Sequence, residues 1–145
     1  MYIRDDKIAE LMAKSHAELD RLINQVVEGV NVDAAERKAL FEEFKDKLIK
    51  HMKIEEDSVF GLKELQGGAV VDTIWKLLKD HLAIAEQVAE IESDIMSGQD
   101  VRLSELAQLM YNHQVLENTS LYPYLDKNLP PMERENVLKK ISILV

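Results

Sequence analysis

Two ten-residue stretches decide how this chain reads: His51-Met-Lys-Ile-Glu55-Glu-Asp-Ser58-Val59-Phe60 and His113-Gln-Val-Leu-Glu117-Asn-Thr-Ser120-Leu121-Tyr122. They align without a gap at an offset of 62 residues, and His16 and His81 stand at a similar offset of 65. Within each stretch the His and the Glu are four residues apart, a spacing that places both on one face of an α-helix. The chain therefore reads as two related helical hairpins, each supplying one lone His and one His-x-x-x-Glu.

Their surroundings are helical. Gly and Pro interrupt the sequence clearly only at Gly29, Gly67-Gly68, Gly98 and Pro130-Pro131. Between these breaks run Ala/Leu/Glu/Lys-rich segments with 3.6-residue periodicity. Helices are expected near 5–28, 34–60, 69–97 and 101–126, with a shorter fifth near 131–144. Asp33 and Asp100 stand at N-cap positions, Gly29 and Gly98 at helix stops, and Pro131 in a first turn. The apolar seams are Ile8, Met12, Leu19, Ile23 and Val26; Leu40, Phe41, Phe44, Leu48, Val59 and Leu62; Val71, Ile74, Leu78, Ala85, Val88 and Ile95; and Leu103, Leu106, Met110, Leu121 and Tyr124.

Trp75 and the methionines are expected in the core. Long amphipathic helices with short connections predict an all-α fold, an antiparallel up-down four-helix bundle over about residues 5–127 of a single domain, 1–145. Val137, Leu138, Ile141 and Leu144 predict a C-terminal helix docked on that bundle, with a homodimer contact as the alternative use of this face.

Composition excludes several functions. The chain has 145 residues, a formal net charge of −9 and no cysteine. Disulfide scaffolds, cysteine zinc sites, cysteine-ligated iron–sulfur clusters and thiol catalysis are out. The acidic balance argues against nucleic acid and against a polybasic membrane-surface mode. No stretch approaches 18 uncharged apolar residues, and the charged N-terminal segment lacks a secretory pattern, so a cytoplasmic location is expected.

The four histidines, His16, His51, His81 and His113, fall one per long helix, each in its apolar seam. Chance placement on seam positions in all four helices is roughly one in 150. Glu55 and Glu117 share those seams, where an ionised carboxylate needs a partner because desolvation costs several kcal/mol. Neither Lys nor Arg occupies any of the seams, and a metal would supply the missing positive charge. Counting from the turns at ~1.5 Å per residue leaves the four imidazoles mismatched in level by on the order of 0–8 Å, near mid-bundle. That suits two metal ions about 3.5–4 Å apart. Each could take two His nitrogens, with Glu55 and Glu117 bridging both and a bridging water or hydroxide as fifth ligand. One position would stay open on each ion. Imidazole with carboxylate suits iron, manganese or zinc. Glu56, Asp57 and Asp80 read as charges on solvated faces; Tyr111, Tyr122 and Tyr124 read as packing groups or as partners of the ligands.

The ordered set His16, His51-x-x-x-Glu55, His81, His113-x-x-x-Glu117 resembles the hemerythrin-like (HHE cation-binding) family. The Leu121-Tyr122-Pro123-Tyr124-Leu125 run is similar to that family's aromatic-Pro stretch, and the resemblance covers about residues 5–127. It implies a four-helix bundle with a non-haem di-iron centre: two iron ions with an oxo or hydroxo bridge, His16 and His51 on one, His81 and His113 on the other, Glu55 and Glu117 between them. Oxygen-carrying members have a fifth His one turn from a ligand on the third helix, where this chain has Leu77 and Ala85. The four-His, two-Glu set instead resembles that of the bacterial di-iron proteins of iron–sulfur repair, which also carry an N-terminal Cys-bearing module. Asn118 departs from the second acidic residue that members often place after the bridging Glu, and Glu56 keeps it.

Three rival readings explain less. A ferritin-like oxidase needs Glu-x-x-His pairs, but the residues three before the histidines are Ala13, Leu48, Leu78 and Met110. A phosphorelay bundle leaves the seam histidines unexplained. A structural helical module would bind no metal and survive chelation. With no positioned base beyond the ligands, the expected function is binding or sensing of a small diatomic ligand, O₂ or NO, or iron handling, rather than turnover.

Overall fold

The computed structural model describes residues 7–28, 33–68, 70–98 and 102–145. Helix α1 spans Ile8–Glu28, α2 Ala34–Glu55, α3 Val71–Met96, α4 Ser104–Leu116, α5 Tyr122–Asn128 and α6 Pro131–Ile141. One π-helical turn, Glu56–Phe60, extends α2, and another, Glu117–Leu121, joins α4 to α5. Among the described residues there is no strand, and the molecule is a helical bundle. No described helix is long and apolar enough to cross a membrane.

The local signals act as their chemistry dictates. Asp33 caps α2, its Oδ1 accepting from Glu36 N–H at 2.8 Å. Gly98 follows the end of α3 with φ +72°, a left-handed value that costs a β-carbon and none to glycine. Pro131 begins α6, where its missing N–H is not needed. Gly29 and Asp100, the remaining expected stop and cap, lie outside the described residues.

The apolar core falls into two clusters with a polar layer between them. One contains Met12 of α1, Val59 and Phe60 after α2, Leu77 of α3, and Leu121 and Tyr122 after α4. The other contains Leu19, Leu48, Ile84 and Met110 from the same four segments. The chain passes from the first cluster to the second along α1, back along α2, out along α3 and back along α4. On each pass it crosses the polar layer at a histidine. Val137, Leu138 and Ile141 of α6 are buried in the first cluster, and Leu144 packs against it, so this helix does dock on the bundle.

Some expectations need correcting. Trp75 is 62% exposed, and Met96 and Met132 are exposed as well, while Met12, Met52 and Met110 are core. On α3 the inward residues are Ile74, Leu77, Ile84, Val88 and Ile91, and Ala85 faces out. A strict 3.5-residue seam drifts off a helix with 3.6 residues per turn. Where neighbouring positions are all apolar, as in Leu77-Leu78 and Ile84-Ala85, pattern alone does not choose between them.

A cap that no local pattern reveals fixes the start of α1. Asp126, 118 residues away, accepts from Ile8 N–H at 2.8 Å and from Ala9 N–H at 3.1 Å. Arg134 of α6 grips the same carboxylate, with Nη2 3.0 Å from Oδ1. One side chain thus ties α1, α5 and α6 together by satisfying donors that a helix start leaves free. Asp126→Ala is expected to cost about 1–2 kcal/mol. In urea melts the midpoint should fall with the slope unchanged, and an unaltered midpoint would show that the cap contributes nothing.

Candidate metal centre

The polar layer gathers all six sequence-predicted site residues. His16, His51, Glu55, His81, His113 and Glu117 are all buried, the two carboxylates completely. They form two overlapping groups, His16/His51/Glu55/Glu117 and Glu55/His81/His113/Glu117, and within each group one donor atom per residue lies within 4.8 Å of the others. The two glutamates belong to both groups.

The donors converge on each other. His81 Nε2 lies 2.9 Å from Glu55 Oε1 and 3.2 Å from His113 Nε2. His113 Nε2 lies 3.3 Å from Glu117 Oε2, and His16 Nε2 lies 3.1 Å from Glu117 Oε1. These last two contacts are close without hydrogen-bond alignment: both Glu117 oxygens, His51 Nε2 and both His16 ring nitrogens have no hydrogen-bond partner among the described residues. Buried polar atoms left so are costly, about 1–3 kcal/mol each. Lone pairs that face one another across a shared gap are what a cation would satisfy. The ion-pair partners of Glu55 and Glu117 among the described residues are all histidines. The donor set therefore fits a metal ion on its own chemistry.

Behind the rings lie further partners. His81 Nδ1–H donates to Glu56 Oε2 at 2.9 Å and His113 Nδ1–H to Asp80 Oδ2 at 3.2 Å, while His51 Nδ1 contacts Ser15 Oγ at 2.7 Å. Asp80, expected on a solvated face, is buried and held from its other side by Lys76 Nζ at 2.5 Å. Glu56 is half-exposed at the edge of the layer and reaches inward to His81. Asp57 is exposed, as expected. Asp80 directly precedes His81, on the one-residue boundary that separates buried from exposed on a helix. The Asp80-His81 dipeptide was the only sequence signal for it.

The π turns explain the aromatic residue that ends each repeat. Phe60 and Tyr122 each follow a site glutamate by five residues. In an α-helix that spacing would turn the ring away, whereas a π turn keeps i and i+5 together. Tyr122 N–H bonds to the Glu117 carbonyl, five residues back. The Tyr122 hydroxyl consequently reaches Glu55 and donates to Oε2, and Phe60 packs at a tilt against His81, 5.2 Å between ring centroids. Tyr122 is indeed a partner of a site residue, Tyr124 is half-buried, and Tyr111 is exposed. Pro123, next after Tyr122, stands in the first turn of α5.

Charge in the layer is unevenly spread. Burial holds His51 down at about 4, so its ring is neutral at pH 7. Burial is also the largest single influence on His113 and pushes it down, but Glu117 and Glu55 together outweigh it and raise the ring to about 10. Tyr122 is pushed well above 10, first by burial and then by both glutamates.

A family comparison adds to this geometry. The family model described as the hemerythrin HHE cation binding domain matches residues 7–125. The chain belongs to the hemerythrin family. No curated protein and no solved structure matches it. The hemerythrin match takes in α1 to α4, both π turns and every residue of the two donor groups, and ends before α6. Family and buried His/Glu layer together point to metal binding.

A metal ligand must be a neutral imidazole, so binding at pH 7 has to expel the proton that the two glutamates hold on His113. The folded-state value lies above the unfolded one, so the proton favours the metal-free fold below about 6.5, and this contribution is lost as pH rises through about 10. Metal affinity is therefore expected to climb with pH across that window. Binding at pH 7 should release about one proton or more per chain, measured by calorimetry in buffers of different ionisation enthalpy. Heats that do not depend on the buffer would refute this.

Proposed function

We propose that this hemerythrin-family chain is a dinuclear metal protein built on an antiparallel four-helix bundle. In it His16 and His51 would hold one ion and His81 and His113 the other, with Glu55 and Glu117 bridging. The observation that carries this reading is the pair of four-donor groups sharing two fully buried carboxylates whose neighbours leave donor atoms unsatisfied. The alternation of the chain between the two apolar clusters supports the antiparallel order. Two iron ions are our preferred occupants, and the same donors would accept zinc or manganese.

Bound iron would supply redox chemistry and open coordination positions for a small ligand. The protein's own part is to hold the donors, exclude water and limit what enters. A cavity of about 10 Å³ borders His16, His51 and His113 and is otherwise lined largely by apolar residues such as Leu48 and Ile84. That is about the space of one water molecule. A space on that scale suits a diatomic ligand such as O₂ or NO better than a larger substrate, which favours ligand binding, sensing or iron handling over turnover.

The test is metal analysis of protein expressed in iron-replete medium, with optical spectra in air and under NO. We expect about two iron ions per chain and a spectrum that changes with the gas. Metal content near zero would overturn the reading, and zinc with no response to gas would replace a ligand-binding role with a structural one.

A further inference from the structure

The two halves of the layer differ behind their imidazoles. His81 and His113 are each backed by a carboxylate, Glu56 and Asp80. His51 is backed by the neutral hydroxyl of Ser15, and His16 Nδ1 has no hydrogen-bond partner among the described residues. The shared glutamates cannot create this difference, because both groups contain them.

We propose that the two metal positions are unequal: the His81/His113 position retains its ion, and the His16/His51 position exchanges it. This rests on the dinuclear reading above. A carboxylate behind a ligating imidazole fixes the ring's tautomer and direction and makes it a stronger donor, and losing such a partner typically costs 10–100-fold in metal affinity. Glu56 and Asp80 act in this way as positioning residues on one half only. Asp80 is itself pinned, between His113 and Lys76. Glu56 also brings negative charge to that half, whereas the charge of Asp80 is offset by Lys76. On the other half the His16 ring is held by packing, 5.0 Å from His51 and 6.0 Å from Tyr122 between ring centroids. A ring held in this way can turn from its metal without breaking a hydrogen bond. One ion per chain is then available to an acceptor, while the other stays and keeps Glu55 and Glu117 in place for reloading.

The experiment loads the chain anaerobically with Co²⁺, adds excess chelator at fixed pH and follows the metal remaining. Two phases are expected, the first ion leaving at least about tenfold faster than the second, with an intermediate near one ion per chain. In that intermediate the paramagnetically shifted imidazole protons should belong to His81 and His113. Combining Asp80→Asn with Glu56→Gln should speed the slow phase by about 10–100-fold and leave the fast phase alone, whereas Ser15→Ala should touch only the fast phase. A single phase for both ions, or shifted protons on His16 and His51 in the intermediate, would overturn the proposal while leaving the dinuclear centre standing. Failure to load any metal would instead strike the dinuclear reading itself.

Discussion

Replacing Glu117 by Ala is expected to take the chain from about two bound metal ions to well below one. Glu117 is fully buried and belongs to both donor groups. Burial works against its ionisation, but Glu55, His113 and His16 around it hold it well below the usual carboxylate range, so it is a charged donor at neutral pH. Removing it takes one donor from each position and half of the negative charge that the two shared carboxylates offer a pair of dications. Glu117→Gln keeps the shape and loses the charge, and it should also fail to hold two ions. His16→Ala is the instructive contrast, because it depletes one group only and should leave about one ion per chain. Elemental analysis of the three variants, with helicity checked by circular dichroism, decides the matter. A folded Glu117→Ala protein with the metal content of the unaltered chain would show that the buried layer is not where metal binds.

The six residues of the layer were legible because histidine and glutamate are rare inside helix seams, and the 62-residue repeat marked them twice. Their immediate partners were much less so. Asp80 sits one residue before His81 on a helix otherwise rich in surface charge. Only its burial and the approach of His113 from α4 separate it from its exposed neighbours. Glu56 and Asp57 look equivalent in sequence, and the π turn is what aims one at His81 and leaves the other in solvent. Tyr122 follows Glu117 by five residues, a spacing that α-helical periodicity assigns to another face. Its approach to Glu55 depends on a single extra residue in the turn, for which the sequence carries no propensity signal strong enough to read. Asp126 is the extreme case: a cap is sought next to the helix it caps, and this one comes from 118 residues further along the chain. What periodicity reports is the face a residue belongs to, and each of these groups acts across faces or between helices.

Stripping the metal is expected to lower thermal stability markedly. Without an ion, buried donors on His16, His51 and Glu117 find no partner among the described residues, and each such atom costs about 1–3 kcal/mol. A ligand that binds only the folded state adds ~2.7 kcal/mol when present at 100 times its dissociation constant. For a chain of this size each kcal/mol moves the melting temperature by about 2–4 °C. The metal-loaded protein should therefore melt on the order of 5–11 °C above the chelated one, and the gap should widen with free metal concentration. Glu117→Ala, with its shared donor gone, should melt at nearly the same temperature with and without chelator. That variant separates the two ways in which metal could stabilise the chain. Ions bound at the acidic surface would stabilise Glu117→Ala as much as the unaltered chain, because the surface charges are the same in both. Ions bound in the layer stabilise only the protein that still has the carboxylate. Equal gaps in the two proteins would place the metal on the surface and leave the buried histidines with only one another as partners.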